Sequence, residues 1–271
     1  MTMTTQQRPC RICGTTGNEI TASETPCALW GERPWMPEGD YTDIRCRACG
    51  GHYVDSDVTE AYLDELQATP IPENVDRATC EDNAAGEMHL DYGSAWGAFG
   101  NHVKQDGPTP NGIELHAEGA AFSRTLWGGA STVHEGTIET APWGDGTFQY
   151  ITSFETLEHV FDPIRILSHM RRMVWRDGVV AISVPSSHYF EFTFWLYRKS
   201  PISGFMFRHF PGHMTWCVLC HNHITTPSPR SARLRMEKAG LRVSGRIVWY
   251  ATFKKIIFAP SIFLVAVKDE G

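Results

Sequence analysis

The stretch FQYITSFETLEHVFDPIRILSHMRRMVWRDGVVAISVP, residues 148–185, decides the fold. It opens on a β-prone run, FQYITSFETLEHV (148–160), that leads into a loop. A helix is expected over 162–175: Asp162 can cap it, and Pro163 suits a first turn whose N–H has no partner anyway. Ile164, Leu167, Met170 and Val174 then line one helix face. GVVAISVP (178–185) is nearly all apolar, as a strand buried on both faces of a parallel sheet should be. Strand, helix and strand make one βαβ unit.

The same alternation extends in both directions. Upstream, EMHLDYG (87–93) reads as a strand running into glycines, and GNHVKQ (100–105) falls in the helix after it. NGIEL (111–115) is a second strand, HAEGAAFSRTLWG (116–128) a helix closed by Gly128 and Gly129, and STVHEGTI (131–138) a third strand. Downstream, SPRSARLRMEKAG (228–240) is a helix, and LRVSGRIVWY (241–250) and SIFLVAVKD (261–269) form a closing pair of strands. Residues 186–226 interrupt the rhythm with ten aromatic side chains, among them Tyr189, Phe194, Trp195 and Trp216. Such an insertion over the carboxyl edge of a sheet suits a lid or acceptor pocket; the structural alternative is a second hydrophobic cluster or a dimer contact.

The amino-terminal part has another logic. Two C-x2-C pairs are each followed by glycine, Cys10/Cys13 in CRICG and Cys46/Cys49 in CRACG, and use four of the eight cysteines. Such a turn aims two sulfurs at one point, and two turns complete a tetrahedral four-thiolate site with no open position, which suits a structural zinc ion. Cys27 and Cys80 read as ordinary buried thiols. HFPGHMTWCVLCHNH (209–223) is dense in ligand-type residues, including the pair Cys217 and Cys220; it suits a second metal site, or cysteines packed inward with histidines lining a cleft. The expected organisation is a zinc-ribbon-like module over 1–56, a helix (59–68) and linker over 57–85, and an α/β domain over 86–271 with its insertion at about 186–226.

With 271 residues and 42% hydrophobic content, the chain can bury a substantial core. No apolar run reaches the roughly 18 residues of a membrane span, and MTMTTQQRPC lacks a signal-peptide stretch, so a cytoplasmic protein is expected without membrane contact. The net charge of −7 hides an asymmetry. Residues 1–150 carry 8 basic against 23 acidic side chains, leaving 16 against 8 for the remainder. The acidic amino-terminal half argues against nucleic acid, whereas the positive half is compatible with an anionic small-molecule acceptor. The sequence assigns no oligomeric state.

LDYGSAWGAFG (90–100) puts glycines between the first strand and first helix, where a ligand can approach the backbone and a helix amino end. Glu114, roughly 20 residues on, ends the second strand, where a carboxylate can accept both hydroxyls of a ribose. With the LEHVFDP segment, the strand AISVP and the ending EKAGLRV…FLVAVK, residues 87–268 resemble a class I S-adenosylmethionine-dependent methyltransferase. The first 68 residues resemble the zinc-binding segment that precedes many such enzymes. The resemblance implies a Rossmann-like sheet, parallel with one antiparallel closing strand. It also implies a methyl transfer to O, N or C of a small polar acceptor, such as a sugar or natural-product intermediate. The family's middle glycine is Ala95 here.

Carried over residue by residue, the resemblance assigns Asp91, Gly93, Ser94 and Gly97 to the methionine part of the cofactor and Glu114 to its ribose. Thr137 and Ile138 would flank the adenine, and Ser153, Phe154 and Glu155 would line the cofactor beside the acceptor. His159, after Glu158 at the cleft mouth, is the first candidate base or acceptor-positioning residue. Glu155, Glu158 and His159 also form E-x-x-E-H, similar to clusters that bind a divalent metal together with a distant histidine in small-RNA 2′-O- and ubiquinone-pathway O-methyltransferases. His213 and His223 are the candidates for that ligand. A zinc-ribbon RNA methyltransferase and a non-catalytic cofactor-binding regulator are the alternative functions.

Overall fold

The computed structural model describes residues 9–17, 20–24, 42–55, 86–189, 223–248, 251–253, 256–258 and 261–269. The helix and linker expected over 57–85, most of the insertion, and His213, Cys217, Cys220, Cys27 and Cys80 lie outside them. Near the amino end, β1 (Ile20–Glu24), β2 (Thr42–Cys46) and β3 (His52–Asp55) form an antiparallel meander.

The alternating part of the chain forms one sheet. Its elements are β4 (Met88–Tyr92), α1 (Ala98–Gln105), β5 (Thr109–Glu114), α2 (Ala117–Trp127), β6 (Val133–Glu135), β7 (Phe148–Phe154), α3 (Pro163–Met173) and β8 (Val174–Pro185). After β9 (Thr225–Thr226) come α4 (Pro229–Lys238), β10 (Leu241–Val248), a small hairpin of β11 (Ala251–Phe253) and β12 (Ile256–Phe258), and β13 (Ser261–Lys268). The seven strands lie in the order β10-β13-β8-β7-β4-β5-β6. β4 to β8 pair in parallel, and β13 runs antiparallel to both β8 and β10. This is the expected Rossmann-like sheet with its antiparallel closing strand. The order reverses at β4, so the carboxyl ends of β4, β5 and β7 border a crevice, the place where open α/β sheets bind ligands.

The core follows from the apolar patterning. Leu90, Ile113, Phe148, Ile151, Val180, Ile182 and Leu264 of the strands are buried together with Leu167, Met170 and Met173 of α3. Asp162 caps α3 as expected, its Oδ1 accepting the Arg165 N–H at 3.0 Å. Three boundaries differ from the sequence reading. β6 ends at Glu135 because the chain turns at Gly136, φ 146°, into a 3-10 turn at Ile138–Thr140. β7 stops at Phe154, where Glu155 adopts φ 50°, and a 3-10 turn follows at Leu157–His159. α3 ends at Met173 rather than 175, and β8 starts at Val174, with a register shift against Phe148 and Tyr150 taking up the extra residues.

β9 is only two residues long, yet it joins the two parts of the chain. Thr225 and Thr226 pair antiparallel with Tyr53 and His52, so the amino-terminal sheet has the order β1-β2-β3-β9. Cys10, Ile12, Cys46, Cys49 and Tyr53 form a separate core, with Leu234 of α4 packed against it. Among the described residues, no helix is long and apolar enough to cross a membrane.

Candidate functional site

The turn after β4 is built for close approach. Gly93, Ala95 and Gly97 have φ of 77°, 46° and 73°, the left-handed region that favours glycine. A Cβ on Gly93 would stand 2.4 Å from the Thr156 hydroxyl, so this backbone touches the loop after β7 directly. The Gly93 and Ser94 N–H groups donate to the Ile113 carbonyl at 2.8 and 3.2 Å. From the other side, α2 fastens the turn: Ser123 Oγ donates to the Ala95 carbonyl at 3.0 Å and Trp127 Nε1 to the Gly97 carbonyl at 2.8 Å. Gly119 permits this contact, since a Cβ there would meet the Ala95 carbonyl at 2.8 Å. Sequence reasoning missed Ser123 and Trp127; the interior glycine of HAEGAA was the available signal.

Glu114 ends β5 beside the turn. Its Oε2 accepts the Ala95 N–H at 2.7 Å and its Oε1 accepts the His116 N–H at 2.8 Å. Each carboxylate oxygen keeps further acceptor capacity, so Glu114 can be held by the backbone and still take two hydroxyls. Asp91 is buried and accepts from Thr152 Oγ1 at 3.0 Å, and that hydroxyl also bonds His89 Nε2 at 2.8 Å. Burial, with Glu114 nearby, pushes the Asp91 carboxyl up to about 7, while burial pulls the His89 imidazole down to about 4. Ser94 is buried, with its Oγ against Gly112. Thr137 is exposed, but Ile138 is fully buried in the main core, so its side chain is packing rather than ligand surface. Ser153 is fully buried as well, and Phe154 packs edge-on against Phe99 with ring centroids 4.7 Å apart.

Next to this crevice the structure brings Glu158, His159 and His223 together, with one ligand atom of each within 4.8 Å of the others. His223 Nε2 lies 3.8 Å and His159 Nε2 4.0 Å from Glu158 Oε1, and the two imidazole rings meet edge-on at 5.1 Å. The Ile224 N–H donates to the Glu158 carbonyl at 2.8 Å and fixes the approach. Glu158 is fully buried, and no donor among the described residues reaches either of its carboxylate oxygens. Burial and the neighbouring Glu155 carboxylate raise its pKa well above the usual range. A buried carboxylate so placed either keeps its proton or takes a cation. Glu155 has a φ of 50° and stays beside Glu158, while its Oε1 accepts from Ser183 Oγ at 2.8 Å. The three-residue cluster therefore contains Glu158, His159 and His223 but not Glu155. Of the two histidines weighed as the distant member, His223 is in place and His213 lies outside the described residues.

The four cysteines of the two C-x2-C pairs also converge, all free, with their sulfurs within 4.8 Å of one another. Cys10 and Cys49 Sγ are 3.9 Å apart and Cys13 and Cys46 Sγ 3.6 Å. Tetrahedral zinc with Zn–S bonds of about 2.3 Å requires sulfur separations of about 3.8 Å. Burial pushes the Cys46 thiol up, so four thiolates here call for a cation.

Three comparisons complete the description. A family model described as a methyltransferase domain matches residues 61–244, beginning after the four cysteines. A solved S-adenosylmethionine-dependent methyltransferase from Mesorhizobium loti aligns over 77% of this chain and 98% of its own, at 12% identity and a TM-score of 0.50. One from Methanosarcina mazei covers 72% and 99%, at 14% identity and a TM-score of 0.49. At 12% identity the likeness to the Mesorhizobium loti structure is one of fold. No curated protein matches the chain.

Proposed function

The chain belongs to the methyltransferase-domain family and is an S-adenosylmethionine-dependent methyltransferase, and from that premise we propose that it methylates a small polar, metal-chelating acceptor held beside Glu158, His159 and His223. The observation that carries this reading is the buried Glu158 carboxylate, without a hydrogen-bond donor among the described residues and flanked by two imidazoles at the edge of the crevice. Asp91, Gly93, Ser94 and Gly97 would hold the methionine part of the cofactor and Glu114 its ribose, with Thr137 bordering the adenine. The Gly93–Gly97 turn is fastened by Ser123 and Trp127, so little of it need reorder when the cofactor arrives. The sulfonium is already activated, so the protein has to hold the acceptor in line at about 3–3.5 Å and keep water out.

Carboxylate and imidazole donors suit Mg²⁺ or a first-row transition metal. Glu158, His159 and His223 would hold it, and a bound divalent cation would acidify an acceptor hydroxyl and orient it. His159 then serves as a ligand rather than as the base. The four cysteines would hold a structural zinc ion, which leaves no open position for chemistry. The acceptor belongs to the class of sugars and natural-product intermediates that carry adjacent oxygen donors.

The test is equilibrium Mn²⁺ binding to the zinc-loaded protein, followed by electron paramagnetic resonance. One Mn²⁺ per chain is expected for the wild type, and at least tenfold weaker binding for Glu158→Gln. S-adenosylmethionine turnover on polyhydroxylated acceptors should stop on chelation that leaves the zinc in place. No Mn²⁺ binding, or turnover that survives such chelation, contradicts the metal reading.

Cofactor affinity should also depend on pH through Asp91. Its carboxyl ionises near about 7 in the folded chain, above its ordinary 3.8. Between about pH 4 and 7 the folded state therefore keeps a proton that the unfolded chain has released, and this group's contribution to stability falls as pH rises. A cofactor ammonium beside Asp91 favours the carboxylate, so binding expels the proton. S-adenosylhomocysteine affinity should rise about three- to tenfold from pH 6 to 7.5 by calorimetry, and Asp91→Asn should flatten the profile. His89, held down at about 4, stays neutral throughout that window. An equally steep profile in Asp91→Asn excludes this assignment.

A further inference from the structure

Arg235 of α4 is buried, 4% exposed, at the contact between α4 and the four-cysteine cluster. Its Nη1 donates to Thr225 Oγ1 at 3.1 Å, and Nη2 has no hydrogen-bond partner among the described residues. Leu234 beside it packs on the cysteine core, and Ser231, one turn before Arg235 on the same face of α4, lies against Gly51 of the second cysteine turn. Around it, α4 is pressed against the second cysteine turn. Ser228, the cap of α4, donates from Oγ to the Cys49 carbonyl at 2.5 Å, and Ser187 Oγ donates to the Gly50 carbonyl at 3.2 Å. Gly51 is held so tightly that a Cβ there would stand 2.4 Å from Ile12 and 3.4 Å from Ser231.

Four thiolates around Zn²⁺ leave a net charge of about −2 in a buried place. A buried charge without a counter-charge is strongly destabilising, and the planar, weakly hydrated guanidinium is the side chain best suited to compensate it. We propose that Arg235 is the buried counter-charge of the four-cysteine zinc site, and that through Thr225 it couples occupancy of that site to the placement of His223 against Glu158. The path is short and continuous. Thr225 pairs with Tyr53 next to the module's core, Ile224 bonds the Glu158 carbonyl, and His223 follows directly. The module is thereby a positioning device for the acceptor side rather than an appendage. This inference rests on the zinc reading of the cysteines.

The experiment measures zinc retention against the chromophoric chelator 4-(2-pyridylazo)resorcinol, and hydrogen exchange over residues 223–228. Wild type should purify with one zinc per chain. Arg235→Met should surrender zinc at least tenfold more readily, and Arg235→Lys within about threefold of wild type. Arg235→Gln, neutral but still able to bond Thr225, repeats the comparison with less cost to packing. Removing zinc from the wild type should accelerate exchange over 223–228 at least tenfold while the strands β4 and β7 stay protected. Equal zinc retention in the neutral variants and the wild type overturns the counter-charge. Unchanged exchange over 223–228 after zinc removal overturns the coupling. A wild-type chain that takes up no zinc at all removes the zinc reading itself, and the inference with it.

Discussion

Replacing Glu114 with alanine is expected to weaken S-adenosylhomocysteine binding by about 10²–10⁴-fold. Two hydroxyl hydrogen bonds to a carboxylate are worth about 1.5–3 kcal/mol each, and about 1.4 kcal/mol corresponds to a tenfold change in affinity. The same substitution strips the acceptors from the Ala95 and His116 N–H groups, so it also loosens the turn that the cofactor needs. Glu114→Gln keeps one acceptor oxygen and should lose about tenfold. Isothermal titration calorimetry on variants checked by circular dichroism separates the effects. Wild-type affinity in a folded Glu114→Ala protein would mean that the cofactor does not lie across the end of β5.

The second large effect concerns the cysteines. Cys46 is fully buried and Cys49 nearly so, at the centre of a core that contains few other side chains. So small a cluster cannot hold itself together by apolar burial alone, and structural zinc supplies about 10–16 kcal/mol in comparable small modules. Cys46→Ser should therefore reduce the zinc content from one per chain to nearly none and abolish amide protection over His52–Asp55. Loss should spread to Thr225–Thr226, which pair with that strand, and should spare Leu90 and Ile151 in the centre of the large sheet. Elemental analysis and hydrogen exchange read both parts. A metal-free Cys46→Ser protein with full protection over 52–55 would show that the cluster needs no ion.

How much of this was legible in the sequence depends on whether the signal is local. The βαβ unit at 148–185 was readable because helix and strand periodicities are local: Asp162 and Pro163 mark the start of α3, and GVVAISVP cannot face water on either side. The antiparallel closing strand was implied by the family resemblance, and the sheet has it. The two C-x2-C turns were readable for the same local reason. The errors lie where backbone geometry departs from the residue type. Glu155 carries a left-handed φ that no glycine announces, its Oε1 accepts from Ser183 Oγ, and the metal-type group of Glu158, His159 and His223 does not include it. Gly136 ends β6 early, although STVHEGTI has the composition of a longer strand. Ile138 belongs to the core because a 3-10 turn carries it inward.

The least legible features are the non-local ones. β9 is two threonines, too short for any pattern, and exists because β3 offers it an edge. That pairing brings His223 to Glu158 across 65 positions of sequence, and no spacing rule connects them. Arg235 was simply one of several basic residues on a helix with polar and apolar faces; its importance comes from what packs against it.

The central claim is that the cofactor crevice and the Glu158–His159–His223 cluster are two halves of one active site. A crystal structure with S-adenosylhomocysteine tests it most directly. The account predicts ribose hydroxyls on Glu114, the amino-acid part over Gly93–Gly97, and the sulfur facing an open space bounded by Glu158, His159 and His223. A sulfur directed away from those three side chains, or a ribose that leaves Glu114 untouched, would contradict it.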